Sequence, residues 1–219
     1  MRRMPADDVD SFVKAFHVAE HLLEPYGEEH WRNVRYVVAR HFARIHPKTT
    51  AEWRRWLRDN HDKERGVWLV MYKAATGKVR LGYEDSIPDA LCFGWIDSLN
   101  KPLDDERTAL LFTPRKIGSG WSRTNKERIA RLLKEGRMEP AGLAKIAAAK
   151  RDGSWTLLDS VEALEVPDDL RRALGSAGVR WFDALTPGRR KEHLRTLVTA
   201  KRPETRAKRI GDIVRVRRE

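Results

Sequence analysis

Two short segments, residues 92–97 (CFGWID) and 112–115 (FTPR), contain the residue types best suited to ligand chemistry. If the segments form paired strands, alternation places Trp95 and Asp97 on one face of a sheet. Arg115 and Trp121 then follow the end of the partner strand. Such a pocket would hold a planar or anionic small group by stacking and bidentate hydrogen bonds. The alternative is that Asp97 and Arg115 form a structural ion pair beside two core tryptophans.

No catalytic residue is predicted. Cys92 lies between Leu91 and Phe93 at an apolar helix end, so we expect a buried thiol that behaves as a small apolar group. The sequence has no glycine-rich phosphate loop, no Gly-x-Ser-x-Gly elbow and no zinc-hydrolase helix. We therefore expect a non-enzymatic protein without a cofactor. An enzyme with an unrecognised reaction stays open as a third alternative.

The histidines do not predict a metal site. His17 and His21 have the i, i+4 spacing that places two imidazoles on one helix face. A zinc site needs three or four convergent ligands, and no Cys, third spaced His or acidic pattern supplies them. Ordinary exposed histidines are the simpler interpretation.

The positive charge is concentrated towards the carboxyl end of the chain. Residues 1–100 hold 16 basic and 15 acidic groups, residues 101–219 hold 28 and 17, and residues 187–219 hold 12 and 4. Arg202, Arg206 and Arg209 recur at i, i+4 and i+7, on one face of a predicted helix, where they could bind phosphates. The segment lacks interleaved aromatic residues, so any nucleic-acid binding would be weakly sequence-selective. A solvated helical face is the simpler interpretation.

Composition limits the class of protein. The 219 residues are 41% hydrophobic, enough for a core, and the single cysteine excludes an internal disulfide. No apolar run approaches the roughly 18 residues of a membrane helix, and the first residues lack an apolar signal region. We therefore expect a cytoplasmic protein that does not insert into membranes. Its expected partner is an unknown small molecule or peptide, with nucleic acid as the alternative.

The first half of the chain predicts helices around a small sheet. One or two helices are expected within residues 1–46, the clearer at 28–42, and Thr49 and Glu52 form a capping box that begins another. Residues 66–73 (GVWLVMYK) predict a buried strand. Further expected elements are a strand at 79–83, a helix at 86–93 with Pro88 in its first turn, and a hairpin of residues 94–99 and 106–113.

The second half predicts helices only. Ser122 begins a helix that ends at Gly136, and Pro140 opens the next, with Leu143 and Ile146 facing inward. Later helices are expected at 167–174, 179–185, 187–199 with Thr186 as its cap, and from Pro203 onward. The fold class is therefore α+β: a small mixed or antiparallel sheet with surrounding helices, followed by an all-helical C-terminal module.

We expect three segments along the chain. They are a helical N-terminal extension at 1–46, an α+β module at 47–152, and a basic helical module at 153–219. The limit between the last two is placed in residues 152–165, where Gly153 and Ser154 separate two periodic regions. Trp155, Leu157 and Leu158 indicate that this connection packs against other parts of the protein.

Several motifs, in order, carry a family resemblance over about residues 49–214. They are the tryptophan-rich segment 51–61, GVWLVMYK at 66–73, ALCFGWIDS at 90–98, LFTPRK at 111–116, WSRTN at 121–125, EGRMEPAGL at 135–143 and AKRPETRAKRI at 200–210. Together they resemble the bacterial YdeI/OmpD-associated family, also called bacteriocin-protection proteins. Ser98 departs from the glycine more usual there, Pro88 is unexpected in its helix, and residues 1–46 match nothing in the family.

The resemblance implies an α+β N-terminal module and a helical C-terminal module in an intracellular protein. It implies no established cofactor and no defined reaction, and it suggests a role in stress or bacteriocin tolerance. Within this frame, the aromatic pocket is the first functional hypothesis, and binding of a polyanion by the C-terminal helices is the second.

Overall fold

The computed structural model describes residue 39 and residues 41–217. Contacts divide the chain into two compact units, residues 1–114 and 115–219, called here the N unit and the C unit. The N unit combines helices with a small mixed sheet and the C unit is helical, so the predicted α+β class is confirmed. The helices predicted within residues 1–46 lie mostly outside the described residues, and residues 41–46, which the structure describes, are not helical. No helix in the described part of the chain has the length and apolar character needed to cross a membrane.

A four-stranded sheet forms the centre of the N unit. Its strands are β1 (Ala43–Ile45), β2 (Val67–Tyr72), β3 (Trp95–Pro102) and β4 (Arg107–Pro114), arranged in the order β1-β2-β4-β3. β1 pairs with β2 in parallel, and the other two pairings are antiparallel. β2 lies between β1 and β4 and is buried along almost its whole length.

Helix α1 (Thr50–Asn60) packs on the sheet through its aromatic stripe. The Thr49 hydroxyl accepts a hydrogen bond from Glu52 N at 3.2 Å, and Glu52 Oε2 accepts one from Lys48 N at 2.7 Å, so the predicted cap is present. Trp53 is fully buried, and its ring centroid lies 5.2 Å from that of Phe112. Its indole N–H donates to Ser86 O at 2.9 Å and so ties α1 to helix α2 (Tyr83–Cys92).

The strand predicted at residues 79–83 is wrong. Residues 78–82 have no regular secondary structure, Val79 is 75% exposed, and α2 already begins at Tyr83. Both edges of β2 are occupied by β1 and β4, so this segment has no free strand edge beside β2 to pair with. The earlier start of α2 also moves Pro88 from the predicted first turn to the second turn of the helix.

The predicted hairpin is confirmed. β3 and β4 pair antiparallel, and Asp104 Oδ1 accepts hydrogen bonds from Glu106 N at 3.1 Å and Arg107 N at 2.7 Å in the connecting turn. The register shifts between Asp97 and Asn100, which marks a bulge in β3. β1 was not predicted: residues 43–45 lie inside the segment 1–46, which was predicted to be helical, and they pair with a strand that comes later in the chain.

The C unit consists of helices whose ends follow local signals. Its elements are α3 (Arg123–Lys134), α4 (Pro140–Arg151), α5 (Asp159–Glu162), α6 (Asp168–Ala184), α7 (Pro187–Val198) and α8 (Pro203–Val216). Ser122 and Thr186 cap α3 and α7 by accepting hydrogen bonds from Asn125 N and Arg189 N. Gly136, with φ +65°, follows the end of α3 as predicted.

The core of the C unit lies between α5, α6, α7 and α8. Its buried members are Leu158, Val161, Leu170, Leu174, Phe182, Leu194, Leu197 and Ile213. Gly175, with φ +63° and ψ 176°, interrupts α6 at the point where two separate helices were predicted. Leu143 is 43% exposed, so its predicted inward position is wrong, whereas Ile146 is buried.

Residues 152–165 pack within the C unit, as the sequence indicated. Leu158 and Val161 belong to its core, and the ring of Trp155 lies 5.0 Å from that of Trp121. The division by contacts falls at residues 114 and 115, before this connection. The module limit at 152 and 153 stays a prediction.

Candidate functional site

Trp95 and Asp97 lie in β3 of the N unit. Trp95 is 1% exposed, donates its indole N–H to His61 O at 3.2 Å and meets Trp56 edge-on at 5.8 Å. Asp97 is half-buried, and its Oδ2 accepts a hydrogen bond from the Tyr83 hydroxyl at 3.1 Å. Trp95 is therefore a core residue, and only Asp97 of this pair reaches solvent.

Arg115 and Trp121 are brought together in the C unit. The guanidinium carbon lies 3.7 Å from the centroid of the indole ring, and Nη2 donates to Gly120 O at 2.7 Å. Arg115 is 5% exposed and Trp121 is 2% exposed. The cavity beside them, also lined by Lys145 and Asp152, has about 10 Å³, room for about one water molecule. The four-residue pocket, with members in both units, stays a prediction.

The three arginines predicted to bind polyanions differ in their surroundings. Arg206 forms a bidentate ion pair with Asp169, with Nε to Oδ2 at 2.6 Å and Nη2 to Oδ1 at 3.0 Å, and its Nη1 donates to Leu197 O at 3.0 Å. Arg209 donates to Thr196 O through Nη1. Arg202 is exposed before the first turn of α8.

Arginine capping of helix ends recurs through the C unit. Besides Arg206 and Arg209 at the end of α7, Arg123 donates to Glu162 O at 2.9 Å, at the end of α5. Arg217 donates to Leu174 O at 3.2 Å, just before the break in α6. The last carbonyls of a helix lack partners within it and carry partial negative charge, so a guanidinium there is favourable. Part of the arginine content is therefore structural.

The N unit and the C unit differ in net charge. Residues 1–114 contain 18 basic and 18 acidic groups, whereas residues 115–219 contain 26 basic and 14 acidic groups. The entire net charge of +12 therefore belongs to the C unit.

A cavity of about 360 Å³ lies within the C unit and was not predicted from the sequence. The connection between α5 and α6, the second half of α7 and the first turn of α8 surround it. Its lining residues are Ser160, Glu165, Val166, Pro167, Asp168, Leu194, Val198 and Arg206. The volume falls in the lower range of small-ligand sites, and apolar walls with a few polar groups are typical of them.

The backbone at the end of α5 positions one wall of this cavity. Leu164 has φ +59°, and Glu165 N donates to Ser160 O at 2.9 Å, which closes the helix with a left-handed residue that is not glycine. The chain then runs through Val166 to Pro167, the residue before α6. This turn places Glu165 and Asp168 on either side of an apolar dipeptide at the cavity.

Arg206 is the basic lining residue, and its charge is already compensated. The Arg206 guanidinium, through its hydrogen bonds, holds the pKa of Asp169 below its usual range. Reciprocally, Asp169 raises the pKa of Arg206. Glu165 and Asp168 form no ion pair with the described residues, so the charge that remains at the cavity is negative.

Two comparisons with family models match separate parts of the chain. Residues 45–145 match a domain of unknown function, DUF8412. Residues 163–216 match the family described as "Bacteriocin-protection, YdeI or OmpD-Associated". This match confirms the resemblance to the YdeI/OmpD-associated family over residues 163–216, which is a part of the predicted span of about 49–214. No curated protein and no solved structure matches the chain.

The cavity lies in the segment that matches the YdeI/OmpD-associated family. Apart from Ser160, every lining residue falls within residues 163–216. The sequence signal that could have indicated it is the run EVPDD at 165–169, which places carboxylates around Val-Pro at a helix start. The cavity itself depends on the packing of α5, α6, α7 and α8, which no local pattern encodes.

Two further predictions from the sequence concern Cys92 and the histidines. Cys92 forms no disulfide and is fully buried at the end of α2, so its thiol lacks the open setting that a nucleophile needs. His17 and His21 lie outside the described residues. Among residues 39 and 41–217, no group of three or more His, Cys, Asp or Glu side chains could hold a metal ion.

Proposed function

We propose that the protein is a cytoplasmic, non-enzymatic protein of the YdeI/OmpD-associated type that acts in stress or bacteriocin tolerance by binding a small ligand or peptide. The observation that carries the binding role is the cavity of about 360 Å³ inside the matched segment. The match supports the tolerance role through the family description. A buried cysteine that forms no disulfide suits the reducing cytoplasm.

The cavity is a better candidate than the pocket around Trp95, Asp97, Arg115 and Trp121. Three of those four residues are at most 5% exposed, and the space beside Arg115 admits about one water molecule. The cavity in the C unit instead offers the volume of a small ligand, with Val166, Leu194 and Val198 as apolar walls. Burial of apolar ligand surface against such walls favours binding.

Filling the cavity should abolish ligand binding. In a thermal-shift screen of metabolites and short peptides, at least one compound should raise the melting temperature of the parent protein by several degrees, because it binds only the folded state. Val198→Phe places an aromatic ring in the cavity and should remove that shift. Val216→Phe, at a residue that is 51% exposed on α8, is the matched control and should retain it.

Two results would count against this proposal. The first is a screen in which no compound stabilises the parent protein. The second is a stabilising compound whose effect survives in Val198→Phe while that variant keeps the folded circular dichroism of the parent.

Binding of nucleic acid or another polyanion is a second candidate, favoured by the concentration of the whole +12 charge in the C unit. Arg206 and Arg209 are engaged in helix capping, so charge reversal there would disturb the fold as well as any binding. The exposed cations Arg202 and Lys208 give a cleaner test.

If the protein binds polyanions, it should bind duplex DNA at low salt, and the logarithm of the affinity should fall steeply as the logarithm of the salt concentration increases. Arg202→Glu combined with Lys208→Glu should make that slope shallower by about 2, since each lost phosphate contact removes about 0.9. Arg55→Glu, at an exposed position in the neutral N unit, is the control. Fluorescence anisotropy measures DNA binding by the parent, the double variant and the control. Absence of DNA binding by the parent at low salt contradicts this candidate function.

A further inference from the structure

We infer that the ligand of the C-unit cavity is an organic cation, an ammonium or guanidinium group attached to an apolar chain. This inference rests on the proposed binding function, and it names the ligand chemistry of the same cavity. The net charge of the C unit, +12, would instead suggest an anionic ligand.

The first argument is the charge of the lining. Glu165 and Asp168 contribute carboxylates, and among the described residues neither forms an ion pair. The basic lining residue, Arg206, is paired with Asp169 through two hydrogen bonds and donates a third to Leu197 O. An anion entering the cavity would face two uncompensated carboxylates, whereas a cation would be attracted by them.

The second argument concerns the cations on neighbouring elements. Lys191 on α7 is paired with Glu162 at 2.6 Å. Arg190 is paired with Asp183 at 3.0 Å, and it also donates to Leu164 O, next to Glu165. These cations therefore have carboxylate partners of their own, and Glu165 remains available to a ligand.

The third argument is the position of the carboxylates relative to the apolar walls. Val166 and Pro167 lie between Glu165 and Asp168 in the chain, and Leu194 and Val198 line the cavity from α7. An apolar chain can pack between these walls while its charged end stays near the carboxylates. Affinity should therefore depend on both ends of the ligand, the charge and the apolar length.

A matched set of six-carbon compounds separates these contributions. Hexylamine, hexanoate and hexanol share an apolar chain and differ in charge. We expect hexylamine to raise the melting temperature of the parent protein and to bind more tightly than propylamine, while hexanoate has no effect. Added salt should weaken the binding, because the two carboxylates are close to solvent.

Variants then assign the charge effect to named residues. Glu165 and Asp168 are exposed, and Glu165→Gln combined with Asp168→Asn, which preserves side-chain size, should weaken hexylamine binding about tenfold, as expected for two exposed ion pairs. Glu127→Gln, an exposed carboxylate on α3, is the control and should bind as the parent does. The unliganded melting temperature shows that each variant is folded.

The source of the cationic group is decided by a parallel measurement. A capped Leu-Lys-Leu peptide and its Leu-Glu-Leu counterpart are titrated beside hexylamine. If the lysine peptide binds and the glutamate peptide does not, the cation is a side chain of a peptide. If hexylamine binds and neither peptide does, the ligand is a free small amine.

The outcomes separate this inference from the proposed function. If hexanoate or hexanol binds at least as well as hexylamine and Val198→Phe blocks that binding, the cavity is a ligand site and the cationic inference is wrong. Unchanged hexylamine affinity in the Glu165 and Asp168 double variant also overturns it. Failure of the six-carbon set and of the whole screen overturns the proposed function as well.

Discussion

Arg206→Met should lower the free energy of unfolding by about 2 kcal/mol, the sum expected for a bidentate ion pair and a helix cap that are partly exposed. The parent guanidinium joins α8 to Asp169 on α6 and to the Leu197 carbonyl at the end of α7. Methionine retains the apolar stem but none of the donors. Chemical denaturation of the full chain measures the difference.

Arg202→Met is the matched control for this prediction. Arg202 is exposed immediately before α8, so its replacement should change the free energy of unfolding by no more than about 0.5 kcal/mol. A double-mutant cycle with Asp169→Asn isolates the ion pair from the cap. Equal effects of Arg206→Met and Arg202→Met would contradict the structural role assigned to Arg206.

The pH dependence supplies an independent check on the same pair. Arg206 lowers the pKa of Asp169 in the folded protein. A lowered folded-state pKa gives stability that is fully present above the ordinary aspartate pKa of about 4 and is lost as the pH falls towards the folded-state value. The difference between parent and Arg206→Met should therefore be constant near neutral pH and shrink below about pH 4.

The Arg206 result also bears on the choice between the two proposed functions. Net charge in the C unit suggests a polyanion partner, but Arg123, Arg206, Arg209 and Arg217 donate to backbone carbonyls at helix ends. Such arginines stabilise the fold whether or not a polyanion binds. The positive charge is thus weaker evidence for a nucleic-acid partner than its total suggests, while the negatively charged cavity is a local feature.

Local signals predicted much of the fold. Thr49, Ser122 and Thr186 were identified as helix caps because a short side chain satisfies backbone groups three residues away. Gly136 was placed correctly because a left-handed residue commonly ends a helix. These features involve neighbours in sequence, and a single sequence contains all the information they require.

Non-local features could not be predicted in this way. Residues 79–83 have the composition of a strand, but whether a strand forms depends on a free sheet edge, and β2 has none. Asp169 lies 37 residues before Arg206, so periodicity within α8 assigned that arginine to solvent. The residue types of Trp95, Arg115 and Trp121 suggested a pocket. Their side chains are buried by tertiary packing, which the alternation of residues along a strand does not reveal.

Gly175→Ala should destabilise the protein by about 2 kcal/mol, although alanine is ordinarily the better helix former. Gly175 has φ +63° and ψ 176° within α6, a combination essentially restricted to glycine. A methyl group there would meet no atom within 4 Å, so the cost comes from the backbone conformation and not from a clash. The break separates the half of α6 that holds Asp169 from the half that holds Phe182.

Gly211→Ala is the matched control, with the opposite expected sign. Gly211 lies inside α8 in an ordinary conformation, and an added methyl group there also meets nothing within 4 Å. Alanine should therefore stabilise the protein by about 1 kcal/mol through helix propensity. If Gly175→Ala stabilised the protein, as Gly211→Ala should, α6 would be a continuous helix. The positions of Asp169, Arg206 and the cavity would then not depend on Gly175.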